Sequence, residues 1–487
     1  MHRFLAVDLG AESGRVVLGS LGSGRLRLEE LARFRTGMVR LHGRLHWNVF
    51  RMLEELVQAF RSASETCGKA ESVGVDSWGV DFALLAEDGS VLGMPVAYRD
   101  ARTDGMMERV FERVPRETIY QKTGIQFMQI NTLYQLFAMV AENSPLLSAA
   151  SDLLFIPDLF HYFLAGEKRT EFTDATTSQL LNVHRNDWDR ELLEAAGIRP
   201  SLFQEVVPPG TVLGRLTTEI QEATGLPPLT VLAPATHDTA SAVAAVPAEG
   251  DDWAYISSGT WSLMGLENPA PICSDQARQC NFTNEGGVEG TYRFLKNIMG
   301  LWLVQRCRAG FDRPYDYAEL MSMAEKAPPF ACLVDTDDMR FLNPPSMPEA
   351  IGAFCRETRQ PEPRSPGEFI RCALESLALE YRTVLEELRR VCNRDIRRIH
   401  VVGGGAQNKL LCRMTADATR LPVIAGPVEA TAIGNLLIQA RALGCVQSFE
   451  EARACVRRSF QPETFEPREP EAWDNAWEQY MSLKAGR

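Results

Sequence analysis

No two of the eleven cysteines stand at C-x-x-C spacing. Paired spacing is what structural zinc sites use, so a zinc fold is not expected. Scattered thiols read as buried and reduced, with Cys355 and Cys372 the local pair a disulfide would use. No apolar run approaches the ~20 residues a membrane-spanning helix needs. Met1-His2-Arg3 leads straight into the apolar segment Phe4 to Val7, without a signal-peptide pattern, so a cytoplasmic enzyme is expected. Basic residues are in the minority. Lys and Arg total 51 against 64 Asp and Glu, a net charge of −13. That balance argues against nucleic acid or anionic membrane as partner, since both need a basic face. It leaves small anions open, because backbone N–H groups bind phosphate without net positive charge. No G-x-x-x-x-G-K-[ST] occurs, which excludes a Walker-A loop. G-x-G-x-x-G is only half present: Gly403 and Gly405 stand in place, but Asn408 replaces the third glycine.

What is present is ample for two domains. The chain has 487 residues, 45% of them apolar and 24% charged. The polar, Pro/Gly-bearing stretch Val246-Pro247-Ala248-Glu249-Gly250 marks the expected junction, dividing the chain into 1-246 and 247-487. Within the first part, Phe4 to Val7, Arg15 to Gly19, Leu26 to Phe34, Ser72 to Asp76 and Thr230 to Ala233 read as strands. Asn48 to Thr66 and Thr132 to Ala141 carry helical spacing. In the second part, Trp253 to Ser257, Ser262 to Leu266 and Ile399 to Val402 read as strands. Gly367 to Cys392 and Lys409 to Thr419 read as helices. The pattern is α/β.

One motif occurs twice. Ala6-Val7-Asp8-Leu9-Gly10-Ala11-Glu12-Ser13-Gly14-Arg15 reads as strand, Gly-bearing turn, strand. Tyr255-Ile256-Ser257-Ser258-Gly259-Thr260-Trp261-Ser262-Leu263-Met264-Gly265 reads the same way. Gly10 and Gly259 lie 249 positions apart, about half the chain. Two small-residue tips of this kind suit the grip of a polyphosphate. Gly10 and Gly14 permit close backbone approach, Ser13 offers a hydroxyl and Arg15 a cationic fork. Asp8 is placed to hold magnesium through water.

Three further segments carry chemistry. Pro234-Ala235-Thr236-His237-Asp238-Thr239 puts a carboxylate where a strand ends and a helix begins. Asp238 is either the helix N-cap or a general base for a substrate hydroxyl. Val75-Asp76-Ser77-Trp78-Gly79-Val80-Asp81-Phe82 combines an indole for a sugar C–H face with carboxylates that would accept hydroxyls. Tyr98-Arg99-Asp100-Ala101-Arg102 is similar in kind, or else holds a surface ion pair. Val402-Gly403-Gly404-Gly405-Ala406-Gln407-Asn408 is a Gly-rich turn against which a base and ribose can lie.

Together these segments resemble the FGGY family of carbohydrate kinases. The resemblance is carried by Asp76 to Phe82, His237 to Val243, Ser257 to Gly265, Asn284-Glu285-Gly286-Gly287, Leu295-Lys296-Asn297-Ile298-Met299-Gly300-Leu301-Trp302, Val402 to Gly405 and Ala425-Gly426-Pro427-Val428-Glu429-Ala430. With the first hairpin it covers nearly the whole chain. It implies two actin-like, ribonuclease-H-like domains with nucleotide and sugar in a cleft between them. It implies ATP and Mg2+, and the branch of the family that phosphorylates the 1-hydroxyl of L-rhamnulose. It further implies Asp238 as proton acceptor, and Gly79, His237, Asp238, Thr239 and Asn297 against the sugar. ATP would be contacted by Ala11, Glu12, Ser13, Gly14, Arg15, Thr260, Gln305 and Gly404. Glu12 departs from the usual small hydroxyl residue, and a carboxylate there is expected to face solvent or magnesium. Another ketose or polyol of the same family is an alternative acceptor. An actin-like ATPase shares the twin hairpins but does not need Trp78, His237 and Asn297 around a sugar.

Overall fold

The run Phe4–Leu9 is apolar at nearly every position because it is covered on both faces, as expected of a central parallel strand. In the computed structural model, which describes residues 1–485, it is the fourth of six strands. Their order is Thr211–Arg215, Thr230–Ala233, Ser72–Ser77, His2–Leu9, Ser13–Gly22 and Arg25–Arg35. The middle three are parallel, and the hairpin strands are antiparallel. Parallel pairing brings the C-terminal ends of Thr230–Ala233, Ser72–Ser77 and His2–Leu9 to one edge. Such an edge is where open α/β sheets bind ligands.

The chain forms two compact units. The first comprises Met1–Pro247, Glu267–Phe294 and Ala430–Phe460, and the second Ala248–Leu266, Leu295–Glu429 and Gln461–Arg487. A single cut at 246/247 does not separate them, because two later segments belong to the first unit. The reason is visible in helix Ala430–Ala442. It is apolar almost all round and buried along its length, so it needs cover on several sides. Its polar residues are matched to the first sheet. Asn435 donates to the Asp76 carboxylate (2.5 Å) and to Gly74 O (3.2 Å). Gln439 donates to Leu5 O (2.8 Å) and accepts from the Ser72 hydroxyl (2.6 Å). Gly434 lets this helix approach helix Asp238–Ala244 closely, since a Cβ there would overlap the Ser241 carbonyl oxygen.

The second unit repeats the arrangement. Trp253–Ser258 and Ser262–Asn268 form an antiparallel hairpin, and Trp253–Ser258 lies parallel to Arg398–Val402. Val423–Ala425 and Glu463–Phe465 extend that side. Helix Pro366–Cys392 starts at Ser365, whose hydroxyl accepts from Glu368 N, and stops at Asn393 in the left-handed region (φ 48°). The expected helices Thr132–Ala141 and Lys409–Thr419 occur with those limits. All eleven cysteines are free thiols, so Cys355 and Cys372 do not bridge. Among the described residues no helix is long and apolar enough to cross a membrane.

Replacing Gly434 by Ala should therefore cost stability through overpacking, by about 1–3 kcal/mol. Urea unfolding checks this; a variant as stable as the parent would mean the two helices move apart freely.

Candidate active site

The first hairpin tip is held by its own backbone. Gly10 N donates to Ser13 O (3.0 Å), and the Thr36 hydroxyl donates to Gly10 O (2.6 Å). Gly14 is glycine for a packing reason too, because a Cβ would strike the Phe34 ring on the next strand. Glu12 is exposed. Asp8 and Arg15 face each other across the hairpin, and the guanidinium donates twice to Asp8 Oδ2, at 2.9 and 2.7 Å. The expected cationic fork is thus turned onto Asp8, and one Asp8 oxygen is already occupied.

Asp76 stands beside Asp8 on the neighbouring parallel strand. Its burial, and then the charge of Asp8, push its carboxyl well above the ordinary range, while Asn435 pulls it down. The third strand end supplies Thr236-His237-Asp238. It is tied to Ser77, whose N–H donates to Thr236 O (2.8 Å). Below the turn lies Glu171, fully buried. Its Oε2 accepts from Thr236 N (3.0 Å), Thr236 Oγ1 (2.7 Å), Thr173 N (2.9 Å) and Thr173 Oγ1 (2.5 Å). Thr173 Oγ1 in turn accepts from His237 N (3.1 Å). The backbone immediately before Asp238 is therefore pinned by one carboxylate.

Asp238 is not the N-cap. His237 occupies that position, and Asp238 is the first residue of helix Asp238–Ala244. Its side chain keeps 33% exposure and accepts from the Thr239 hydroxyl (3.0 Å). His237 Nε2 lies 3.5 Å from Asp238 Oδ1. The protein packed around Asp238 raises its carboxyl above the usual value; His237 opposes that shift and Asp8 adds to it. A carboxylate moved toward neutrality while still reachable suits a general base.

Trp78 is buried against Trp47, ring centroids 4.2 Å apart. Its indole N–H donates to Asp81 Oδ2 (3.0 Å). Trp47 Nε1 (2.5 Å) and Tyr98 N (3.1 Å) donate to the same oxygen, and Gln135 Nε2 to Oδ1 (3.0 Å). Burial pushes Asp81 up to about 6 against those hydrogen bonds. Asp81 is thus saturated by protein donors, which corrects the expectation that it accepts sugar hydroxyls. Asp100 and Arg102 do not form a surface pair either. Asp100 is buried, accepts from Leu45 N (2.8 Å) and pairs with Arg44 at 3.3 Å, while Arg102 donates to Gln135 Oε1 (2.6 Å). Gly79 is partly open, and Thr177 packs on its other side where a Cβ would collide. Val80 follows in the left-handed region (φ 68°), a strained state for a β-branched residue. The strain is held by Val80 N donating to Thr177 Oγ1 (3.0 Å) and by Val80 O accepting from Thr132 Oγ1 (2.8 Å).

In the second unit, the tip Ser258-Gly259-Thr260 is closed by Gly259 N donating to Trp261 O (2.8 Å). Its Thr260 carbonyl accepts from Trp302 N (3.0 Å), which roots the helix Trp302–Gly310 that bears Gln305. Gly405 is pressed against Ser258, and Gly403 (φ 82°) lies close to Ser258 O. Gly404 faces outward with open space where a Cβ would be. Thr260 and Gly404 thus share one end of this sheet. Asn297 lies half-buried in strand Tyr292–Ile298. The structure groups Asp8, the Ala11–Arg15 tip, Gly79, His237, Asp238 and Thr239 in the first unit, and Asn297, Thr260, Gln305 and Gly404 in the second.

Residues 3–245 match the N-terminal domain of the FGGY family of carbohydrate kinases, and residues 254–443 match its C-terminal domain. This chain belongs to that family. It is 46% identical to a rhamnulokinase of Bacteroides thetaiotaomicron, the match covering 98% of both chains. It is 44% identical to a rhamnulokinase of Oceanobacillus iheyensis, over 95% of this chain and 97% of the other. The fold is that of a ligand-bound xylulose kinase from Lactobacillus acidophilus, with a TM-score of 0.82 at 15% identity over 100% of this chain and 98% of that one. The protein is an α/β carbohydrate kinase of two domains.

Glu171 holds Thr236, Thr173 holds His237 N and Arg293 meets the His237 imidazole, yet none of the three lies in a run that sequence patterning singled out. Only burial could have marked them: an acid and a guanidinium in otherwise apolar surroundings are rarely fully buried unless paired.

Two outcomes follow from this geometry. Glu171→Gln keeps the shape but weakens four charge-assisted hydrogen bonds, and should lower kcat by about 10- to 100-fold through misplacement of Asp238. Steady-state kinetics of the folded variant decide it, an unchanged kcat counting against the pin. The acid limb of the kcat–pH profile should lie above the ~4 of an ordinary carboxyl. Activity is lost as pH falls through the raised Asp238 value; a limb at or below 4 would remove Asp238 as the titrating base.

Proposed function

We propose that this kinase transfers the γ-phosphate of ATP to the 1-hydroxyl of L-rhamnulose. The observation that carries the reading is the near full-length match to two rhamnulokinases, joined to a reachable, raised-pKa Asp238 fixed at a strand end. In this reading Asp238 accepts the proton of the 1-hydroxyl as that oxygen bonds to the γ-phosphorus, and the bond from phosphorus to the ADP oxygen breaks. His237, Thr239, Gly79 and Asn297 orient the ketose. Ala11, Glu12, Ser13, Gly14 and Arg15 lie along the phosphates at one tip, and Thr260, Gln305 and Gly404 serve the nucleotide at the other. Gly79 fits a sugar contact because the strained Val80 beside it fixes a bare backbone edge. Backbone amides at the tips contribute charge stabilisation, the larger part of phosphoryl transfer.

Magnesium would neutralise phosphate charge in such a reaction. The donors fit it: Asp8 and Asp76 are hard oxygen ligands on adjacent strands, and Asp76 Oδ1 is a buried oxygen without a hydrogen-bond partner. Among the described residues, the one set of three His, Cys, Asp or Glu donors within 4.8 Å of one another is His2, Glu71 and Cys445, at the other end of strand His2–Leu9. Asp8 would hold the ion through water, with Asp76 beside it. We place the enzyme in the cytoplasm, with ATP and a small sugar as its partners.

Asp238→Asn should bind ATP like the parent and lose about 10²- to 10⁴-fold in kcat. An ADP-release assay over L-rhamnulose, L-fuculose, L-ribulose, D-xylulose and glycerol tests both parts. Preference for another acceptor overturns the substrate, and near-parental turnover by the variant overturns the base.

A further inference from the structure

Arg293 is a fully buried arginine in unit one, on strand Tyr292–Ile298. Its Nε donates to Gly286 O (2.8 Å), and its Nη1 lies 3.2 Å from Glu285 Oε2. Its Nη2 lies 3.1 Å from His237 Nδ1 in hydrogen-bonding geometry. A guanidinium has donors only and stays charged. His237 Nδ1 must therefore be the acceptor and carries no proton. The remaining ring proton sits on Nε2, the nitrogen that faces Asp238 Oδ1 at 3.5 Å. Glu285 Oε2 lies farther from Nδ1, at 3.4 Å, and is engaged with the arginine.

We propose that Arg293, anchored by Glu285, is a positioning residue that fixes the tautomer of His237. The imidazole then presents an Nε2–H donor beside the proposed base. That donor has two uses. Without sugar it is directed at Asp238 Oδ1. With sugar bound it is free to donate to a substrate hydroxyl oxygen, leaving Asp238 to accept the reacting proton. The opposite tautomer would aim a lone pair at a carboxylate and offer the sugar nothing but an acceptor. The charged groups facing the ring are Asp238, Glu285 and Arg293, while the Thr173 hydroxyl accepts from the His237 backbone N–H. The inference rests on the kinase reading of Asp238 for its catalytic meaning, but not on which sugar is used.

The test is long-range proton–nitrogen NMR of the full chain labelled with 15N-histidine, the His237 signals being assigned by their loss in His237→Gln. The expected wild-type spectrum shows an unprotonated-type shift at Nδ1 and a protonated-type shift at Nε2. Arg293→Lys keeps a cationic donor and should keep that pattern. Arg293→Met should mix the two tautomers and raise KM for the sugar up to about tenfold, the loss of one neutral hydrogen bond, while KM for ATP stays within about twofold. Arg293→Met leaves Glu285 buried without its partner, so the double variant Arg293→Met/Glu285→Gln supplies a folded control if the single variant fails. A protonated Nδ1 in the wild type, or an unchanged tautomer in the folded variant, overturns the proposal. The spectrum is read without sugar, so a wrong ketose assignment leaves this result intact.

Discussion

Glu171 Oε2 accepts four hydrogen bonds from two threonines, and the placement of the reactive groups of the first unit descends from it. Thr236 is fixed directly. His237 is fixed one step later, through the Thr173 hydroxyl. Asp238 follows as the first residue of its helix, with its backbone direction already set. Burial raises Glu171, and the Thr173 and Thr236 donors act against that. A buried donor left without such an acceptor costs about 1–3 kcal/mol, so the four donors and the carboxylate hold one another in place. A turn locked this way costs no reorganisation when substrate arrives, which is the condition for electrostatic catalysis.

The same unit carries many other buried acids, and their partners sort them. Asp8 is matched by Arg15, Asp81 by four donors, and Asp76 on one oxygen by Asn435. Asp158 and Asp174 are pushed well above the ordinary range, first by burial and then by neighbouring carboxylates. Burial thus disfavours charge on both of these carboxyls. Asp238 differs in keeping a third of its side chain exposed. The net negative charge of the chain is thus compatible with phosphate chemistry. Most of the acid near the site is either matched by protein donors or held toward neutrality by burial, and both tips present backbone.

The α/β class, both hairpins, the strand ends bearing Asp8 and Asp76, and the turn bearing Asp238 were legible from apolar runs interrupted by Gly and Pro. These features are local, so a window of residues contains their cause. The return of helix Ala430–Ala442 to the first unit was not legible, because its cause is the fit of Asn435 and Gln439 to strands 359 and 434 positions earlier, and of Gly434 to helix Asp238–Ala244. Asp81 was misread for a related reason. A carboxylate next to Trp78 looks like a sugar ligand until Trp47 and Gln135 arrive from distant segments to occupy it. Arg15 met the same fate across the hairpin, where only the register reveals that Asp8 is its partner.

The duplicated hairpin can now be divided into what repeats and what does not. Backbone repeats: each tip closes by one glycine N–H to a carbonyl across the turn, Gly10 to Ser13 and Gly259 to Trp261. Each first strand also runs parallel to a second strand beside it, Ser72–Ser77 in one unit and Arg398–Val402 in the other. Side chains do not repeat. Where the first hairpin faces Asp8 with Arg15, the second packs Ser258 onto Gly405. An acid beside a cation suits a metal-bearing, proton-moving end. A hydroxyl among glycines suits an uncharged backbone surface for phosphate and ribose. The two tips therefore share a backbone arrangement and differ in the side chains it carries.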